Sequence, residues 1–343
     1  MVTETTKLDA ALLPERHPQQ DLFVCDVGDA VLKDIMQHME HPFYSLSKKP
    51  ETRVRRYEHN GNWIEITPSV KGQATIYDKD ILIYCISQIM SKLNFGQPVS
   101  QRVRLSSREL LMFTNRGTSG RDYTALAEAL DRLAGTRIST NIRVAGEEQY
   151  NNFGLIDAAS IRRKNGMDGR LLWCEVALSD WVFNAIRANE VLTLHSDYFR
   201  LRKPLERRVY ELARKHCGQQ AQWKISLDKL LKKSGSQSPM KRFRQMIREL
   251  VANDHLPDYG VRLDNDMVTF VNRETMEAKP SLDYSASSIR ISADGYERAK
   301  QAASGWDIYF IESQWRQWMK ETPRDVDSAF VGFCRQWAAK PQQ

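Results

Sequence analysis

The side chains best placed to do chemistry lie on one short stretch: Lys241, Arg242, Arg244, Gln245 and Arg248. If Pro239–Asn253 is a helix, turning about 100° per residue, Lys241, Arg244, Gln245 and Arg248 share one side. Phe243, Met246, Ile247, Leu250 and Val251 then share the other. An arginine fork fits guanine and a glutamine fits adenine, while Lys241 and Arg242 near the helix start suit phosphates. The chemistry of such a stripe is non-covalent contact with duplex DNA. An ordinary amphipathic surface helix shows the same division, so its surroundings matter. Arg200–Leu250 carries 15 Lys or Arg against 4 Asp or Glu, a net +11, which exceeds the +7 of the whole chain. Positive charge concentrated in this way attracts phosphate backbones.

A second set of candidates surrounds an earlier predicted helix, Arg121–Ala134. Tyr123, Leu126, Ala127, Leu130, Leu133 and Ala134 form its apolar face, and Arg121, Thr124, Ala125, Glu128, Asp131 and Arg132 the opposite one. Two carboxylates there would repel phosphates. Arg116 and Arg121 are therefore expected at the DNA backbone, with Thr124 and Arg132 as lesser candidates. Most of the specificity is assigned to the later helix. Arg162-Arg163-Lys164 marks a hairpin bend, either a further backbone contact or a solvated turn.

No sequence pattern supports covalent chemistry, a metal site or a cofactor. None of the seven histidines forms a His-x-His pair, and no phosphate-binding GxxxxGK[ST] loop or HExxH occurs. Cys25, Cys85, Cys174, Cys217 and Cys334 include no CxxC pair, which suits reduced thiols in a cytosol. The first residues lack the order of a signal peptide, and no apolar run approaches the ~20 residues of a membrane span. The expectation is a cytoplasmic, non-enzymatic protein with no membrane partner.

The elements that must position these residues read twice in one order. Asp78–Asn94 is an apolar helix, Gln101–Leu105 a short strand, and Ser106 with Glu109 a capping box opening a helix. The helix Arg121–Ala134 follows, stopped by Gly135. Thr136–Val144, Asn152–Ile161 and Leu171–Ala177 are strand-like. Asp180–Asn189 is helical, and then the pattern returns: helix Lys203–Cys217, strand Trp223–Ile225, short helix Ser226–Lys233, helix Pro239–Asn253. The hairpin Gly260–Leu263 and Met267–Asn272 closes it through Asp264-Asn265-Asp266. Helix, strand, helix, helix, hairpin is the order of a winged helix.

The fold expected is α+β: two tandem winged-helix domains plus a small C-terminal helical region. The boundaries expected are a flexible lead at 1–40, the first domain at 41–195, the second at 196–273, a linker at 274–305 and the helical region at 306–343. Within the lead, Asp29–Glu40 has amphipathic spacing. The aromatic-rich tail from Trp306 reads as the core of a small helical unit, with stacking on single-stranded DNA as the alternative.

His41–Pro50 (HPFYSLSKKP), Ile66–Cys85 (ITPSVKGQATIYDKDILIYC), Ala129–Thr140 (ALDRLAGTRIST) and Arg202–Gly218 (RKPLERRVYELARKHCG) resemble the plasmid replication initiator protein A family. The tail segment Ala329–Ala338 (AFVGFCRQWA) resembles its C-terminal region. The resemblance covers His41–Asn272 well and the tail more loosely. It implies binding to repeated sites in double-stranded origin DNA and recruitment of a host initiator ATPase and replicative helicase. It also implies a monomer active at the origin and a repressive homodimer. A winged-helix transcriptional repressor, acting on its own gene, is the alternative that the same residues would serve. A third reading is a scaffold whose basic surface binds an acidic protein. Asp78 and Asp80 in the GQATIYDKD segment are read as a favourable helix start.

Overall fold

The computed structural model describes residues 11–17, 32–59, 62–141, 151–163, 171–276, 291–303, 308–318, 323 and 325–338. In chain order, β1 (Lys33–Ile35) runs into α1 (Met36–Glu40), followed by the hairpin β2 (Arg55–His59) and β3 (Asn62–Thr67). Then come α2 (Lys79–Asn94), β4 (Arg102–Ser106), α3 (Ser107–Phe113) and α4 (Gly120–Gly135). Strands β5 (Arg137–Thr140), β6 (Asn151–Gly154), β7 (Ile156–Arg163) and β8 (Leu171–Leu178) precede α5 (Asp180–Arg187) and β9 (Val191–Thr193). A 3-10 turn at Ser196–Arg200 leads to α6 (Pro204–His216), β10 (Gln222–Ser226), α7 (Leu227–Ser234) and α8 (Met240–Asn253). The hairpin β11 (Tyr259–Asp264) and β12 (Met267–Asn272) follows, then α9 (Arg273–Met276), α10 (Ala293–Ala302), α11 (Ile308–Trp318) and α12 (Val326–Ala338). The chain is an α+β protein.

Two three-stranded antiparallel sheets share one topology. In each, the strand after the first helix pairs with the last hairpin strand, giving the orders β4-β8-β7 and β10-β12-β11. Ser106 caps α3 and Ser226 caps α7, each accepting a hydrogen bond from the backbone N–H three residues on. Such a cap satisfies one of the orphan donors of a helix start. At the tip of the second hairpin, Asn265 and Asp266 both adopt positive φ, at 45° and 62°. That is the backbone of a two-residue turn whose twist matches its strands.

A further sheet, β2-β3-β5-β6, covers the first block. The expected single strand Asn152–Ile161 is split between two sheets: β6 pairs with β5, and β7 pairs with β8. Gly154 sits at the break, where a Cβ would lie 2.8 Å from the carbonyl of Ile156. Only glycine allows so close a crossing.

Two expectations about the flanks are corrected. The part of the N-terminal lead that is described is packed. Leu12 is buried, and the backbone N–H of Leu13 donates to Arg200 O at 2.9 Å. Strand β1 pairs with β9 and is wholly buried, as are His38 and Met39 of α1. The lead hid this because Asp34 and His38 look like surface residues until their buried partners are known. At the other flank, α10 lies inside the stretch read as a linker. Ser292 caps it, and Ala299 and Ala303 bury against α12 in a core built on Trp315 and Phe330. Small alanines gave too little apolar signal to reveal that contact.

Helix α2 lies at the centre, with every residue from Lys79 to Ser91 buried. Its N-cap and first turn carry three charges that tie it to β1, α4 and α6. Asp78 receives Arg132 of α4 in a two-pronged contact, at 2.7 and 2.8 Å. Lys79 lies between Asp34 of β1, at 2.6 Å, and Glu211 of α6, at 2.8 Å, all three buried. Asp80 receives Arg207 of α6 at 2.7 Å and Arg116 at 2.9 Å. Burial alone would raise the Asp34 carboxyl, yet Lys79 and His38 outweigh it and hold it below its ordinary value. This ion hub joins the first block to the first helix of the second.

Candidate nucleic-acid interface

The two faces predicted for Pro239–Asn253 are present on α8. Phe243, Ile247 and Leu250 are buried in the second block's core, and Met246 and Val251 pack partly buried against it. Full burial of a side chain such as Phe243 is worth about 1.5–3 kcal/mol, which fixes the roll of the helix. The opposite residues Lys241, Arg242, Gln245 and Arg248 are exposed.

Two of the outward residues are oriented by neighbours. Arg244 meets Asp266 of the hairpin turn through two parallel bonds, Nε to Oδ1 at 2.8 Å and Nη2 to Oδ2 at 2.7 Å. The hydrogen bonds and charge of Arg244 hold the Asp266 carboxyl below its usual value. Gln245 donates to Glu249 at 3.4 Å, and Glu249 also meets Lys203 at 3.2 Å. A shallow groove of about 670 Å³ runs between α8 and the hairpin, lined by Arg244, Arg248, Leu263, Asn265 and Asp266. The helix and the hairpin tip thus present one continuous polar surface.

The first block differs. Arg121 and Thr124 are exposed, but the Thr124 hydroxyl donates back to Gly120 O at 3.1 Å. Arg132 is tied to Asp78, and Arg116 to Asp80 and to the carbonyl of Tyr77. The expectation that Arg116 and Arg132 face DNA is corrected: their guanidinium groups are committed to carboxylates inside the protein. Ala134, assigned to the apolar face, is exposed.

Arg162 is exposed on β7, 5.7 Å from the ring centre of Trp173. The side chain of Arg163 and all of Lys164 lie outside the described residues. Sequence reasoning missed the other half of this cluster. Arg104 on β4 stacks on the same Trp173 at 4.0 Å, and Arg102 meets Glu175 at 3.2 Å. The signal was available: arginines at 102 and 104 alternate on a strand and so share one sheet face.

Among the described residues no group of three or more His, Cys, Asp or Glu side chains could hold a metal ion. None of the described helices is long and apolar enough to cross a membrane. The cysteines Cys85, Cys174, Cys217 and Cys334 are buried free thiols, and Cys25 lies outside the described residues.

The family described as replication initiator protein A matches residues 33–261. The chain belongs to that family. A protein of Wigglesworthia glossinidia brevipalpis named "Putative replication protein" is 38% identical over 259 residues, covering 74% of this chain and 94% of the relative. Among solved structures, domains 2 and 3 of RctB superpose with a TM-score of 0.52 at 11% identity, over 68% of this chain and 97% of theirs. The Pi initiator protein in complex with iteron DNA matches with a TM-score of 0.43 at 14% identity, over 58% of this chain and 92% of its own. The likeness to RctB is one of fold. The family match begins at Lys33, the first residue of β1, in keeping with the buried strand found there.

Proposed function

We propose that this initiator-family chain binds repeated sites in duplex DNA at a plasmid origin and so starts replication, without catalysing a reaction itself. The observation that carries the reading is α8: exposed Lys241, Arg242, Gln245 and Arg248 beside a hairpin tip, on a face opposite its buried core. In the proposal both blocks are winged helices, the first spanning 41–195 with β1 and α1 added to it, the second 196–273. Strand order supports this, since each sheet places its first strand beside the last strand of the hairpin. Helix α8 enters a major groove and reads bases, while Arg121 and the Arg104–Arg162 cluster hold the neighbouring backbone. Opening of the DNA is left to a host initiator ATPase and replicative helicase, and a homodimer is the repressive form.

Footprinting on the DNA flanking the chain's own gene tests this reading. Protected repeats one or more helical turns apart, with an adjacent AT-rich tract that becomes permanganate-sensitive on a supercoiled template, are expected. Protection at one operator with no opening would assign the chain to transcriptional repression. Affinity should fall by ~10³–10⁵ between 50 and 200 mM salt if six to ten phosphates are neutralised. A flat salt dependence would leave the basic surface to a protein partner.

A further inference from the structure

Between the two blocks lies a groove of about 1140 Å³, whose walls include Arg56, Tyr57 and Glu58 of β2 and Trp223, Lys224 and Ile225 of β10. Among the described residues both strands are the outermost of their sheets, each hydrogen-bonded on one side only. In an antiparallel pair, successive residues turn their N–H and C=O alternately toward the partner and away from it. Asn272 N–H bonds Ala221 O and Leu227 N–H bonds Asp266 O at the two ends of the β10–β12 ladder. With the register Gln222↔Val271 to Ser226↔Met267, this phase turns the main chain of Lys224 away from β12 and toward the groove.

The opposite wall is fixed in the same way. Trp63 directs its N–H to Asn141 and its C=O to the Thr140 hydroxyl, away from β2. Its partner Glu58, and Arg56 two residues before, therefore turn their main chains outward from β3. The groove is bounded by two strand edges that no described strand pairs with. Such an edge is a template for another strand.

The side chains give the occupant its character. Trp223 is half-buried, stacked between His216 at 4.7 Å and Phe270 at 5.2 Å, and Met267 is 41% exposed. Lys233 is neutralised by Glu40 at 2.6 Å and Lys232 by Asp228 at 2.9 Å. Lys224 and Lys229 are exposed, and among the described residues no carboxylate lies within 4.0 Å of either. Lys224 and Trp223 point to opposite faces of β10. A strand laid beside β10 would need acid opposite Lys224 and an apolar residue opposite Trp223. A nucleic-acid backbone fits less well: a phosphodiester has acceptors only and cannot answer the edge's carbonyl groups.

We propose that this groove receives an extended acidic segment of a partner protein, added as a strand to β10. Its Asp or Glu side chains pair with Lys224 and Lys229, and its alternate apolar side chains lie over Trp223 on the other face of β10. The main-chain bonds give affinity and the alternation gives selectivity. This inference stands independently of the DNA reading.

Selection of displayed random octapeptides on the full-length protein tests it. The expected result is enrichment of sequences alternating Asp or Glu with apolar residues. The best of these, as a free peptide, should slow hydrogen exchange at the Lys224 amide and perturb Trp223 fluorescence. Lys224→Pro removes the outward N–H together with the Lys224 charge and leaves the ladder to β12 intact, a substitution that an edge strand tolerates, and should weaken the peptide by ~10-fold or more. The double variant Lys224→Glu/Lys229→Glu should do the same while keeping the circular dichroism spectrum, so a folding failure of the proline variant leaves the test intact. No enrichment, enriched peptides without acidic alternation, or equal affinity for the charge-reversed protein would overturn the proposal. Protection of the Lys224 amide by an oligothymidylate and by no peptide would assign the groove to single-stranded DNA.

Discussion

Helices α4 and α8 occupy equivalent places in their blocks, after a strand and a short helix and before the strands of a three-stranded sheet. Both carry arginines opposite an apolar face, yet the arginines do different work. Around α4, Arg132 and the preceding Arg116 reach inward to Asp78 and Asp80. On α8, Arg242 and Arg248 remain exposed and Arg244 is held at the surface by an exposed aspartate. The difference teaches that a basic helix keeps its arginines at the surface only where the core leaves them no buried acid to pair with. In the first block the positive charge is spent on assembling the molecule; in the second it faces outward.

The comparison breaks first at the hub. Lys79→Met leaves Asp34 and Glu211 buried without their shared cation, and removal of one partner from a buried ion pair typically costs about 3–5 kcal/mol. Urea unfolding should show a loss of that order; a loss under about 1 kcal/mol would mean that the hub does not hold the blocks together. Arg132→Ala and Arg248→Ala form the next contrast. The first should lower stability by about 1.5–3 kcal/mol, the range for hydrogen bonds to charged groups, and weaken specific and random DNA equally. The second should leave the melting temperature unchanged and weaken the specific site alone by about 1–3 kcal/mol. Equal losses on both DNAs for Arg248→Ala would reduce it to a backbone contact.

Asp266→Asn sharpens the role of the Arg244 contact. With the fork released, discrimination between the specific site and a single-base variant should drop by ~5-fold or more, and binding to random duplex should strengthen. Unchanged discrimination would show that Asp266 does not orient Arg244 for reading.

Two histidines beside the groove predict a pH effect on stability. Burial lowers His41 and His216 from about 6.5 to about 4 in the folded chain. Between those values the unfolded chain binds more protons than the folded one, so stability falls as pH drops from 6.5 toward 4. Glu40, which burial alone would raise but Lys233 and His216 depress, extends the loss below its ordinary value. Urea midpoints across that range should flatten in a His41→Gln/His216→Gln variant; an unchanged slope would place the titration elsewhere. The smallest effect is expected from Thr124→Ala, whose hydroxyl is already returned to its own helix. Gel-shift affinity should be unaltered, and a clear loss would restore α4 as a reading helix.

Much of this arrangement was legible in the chain. The limits of α2, α4, α6, α7 and α8 follow from apolar spacing and caps, because those signals act over a few residues. The repeated element order and the polar stripe on α8 followed from the same local rules. The flanks were less legible. Strand β1 and α10 bury through contacts with distant segments, and β5–β6 joined a different sheet because pairing partners are not local. In the candidate site, Arg104 was missed because the Trp173 that it stacks on lies some seventy residues away.

By itself the sequence determined that a basic face would stand opposite an apolar one on Pro239–Asn253, since helical periodicity alone fixes which residues share a side. Which arginines would be spent inside the molecule was decided only by tertiary structure. Asp78, Lys79 and Asp80 read as a good helix start until folding brings Arg132, Arg116, Arg207, Asp34 and Glu211 around them. Charge pairing depends on distance in space, and these partners are separated by up to 132 positions along the chain, from Lys79 to Glu211.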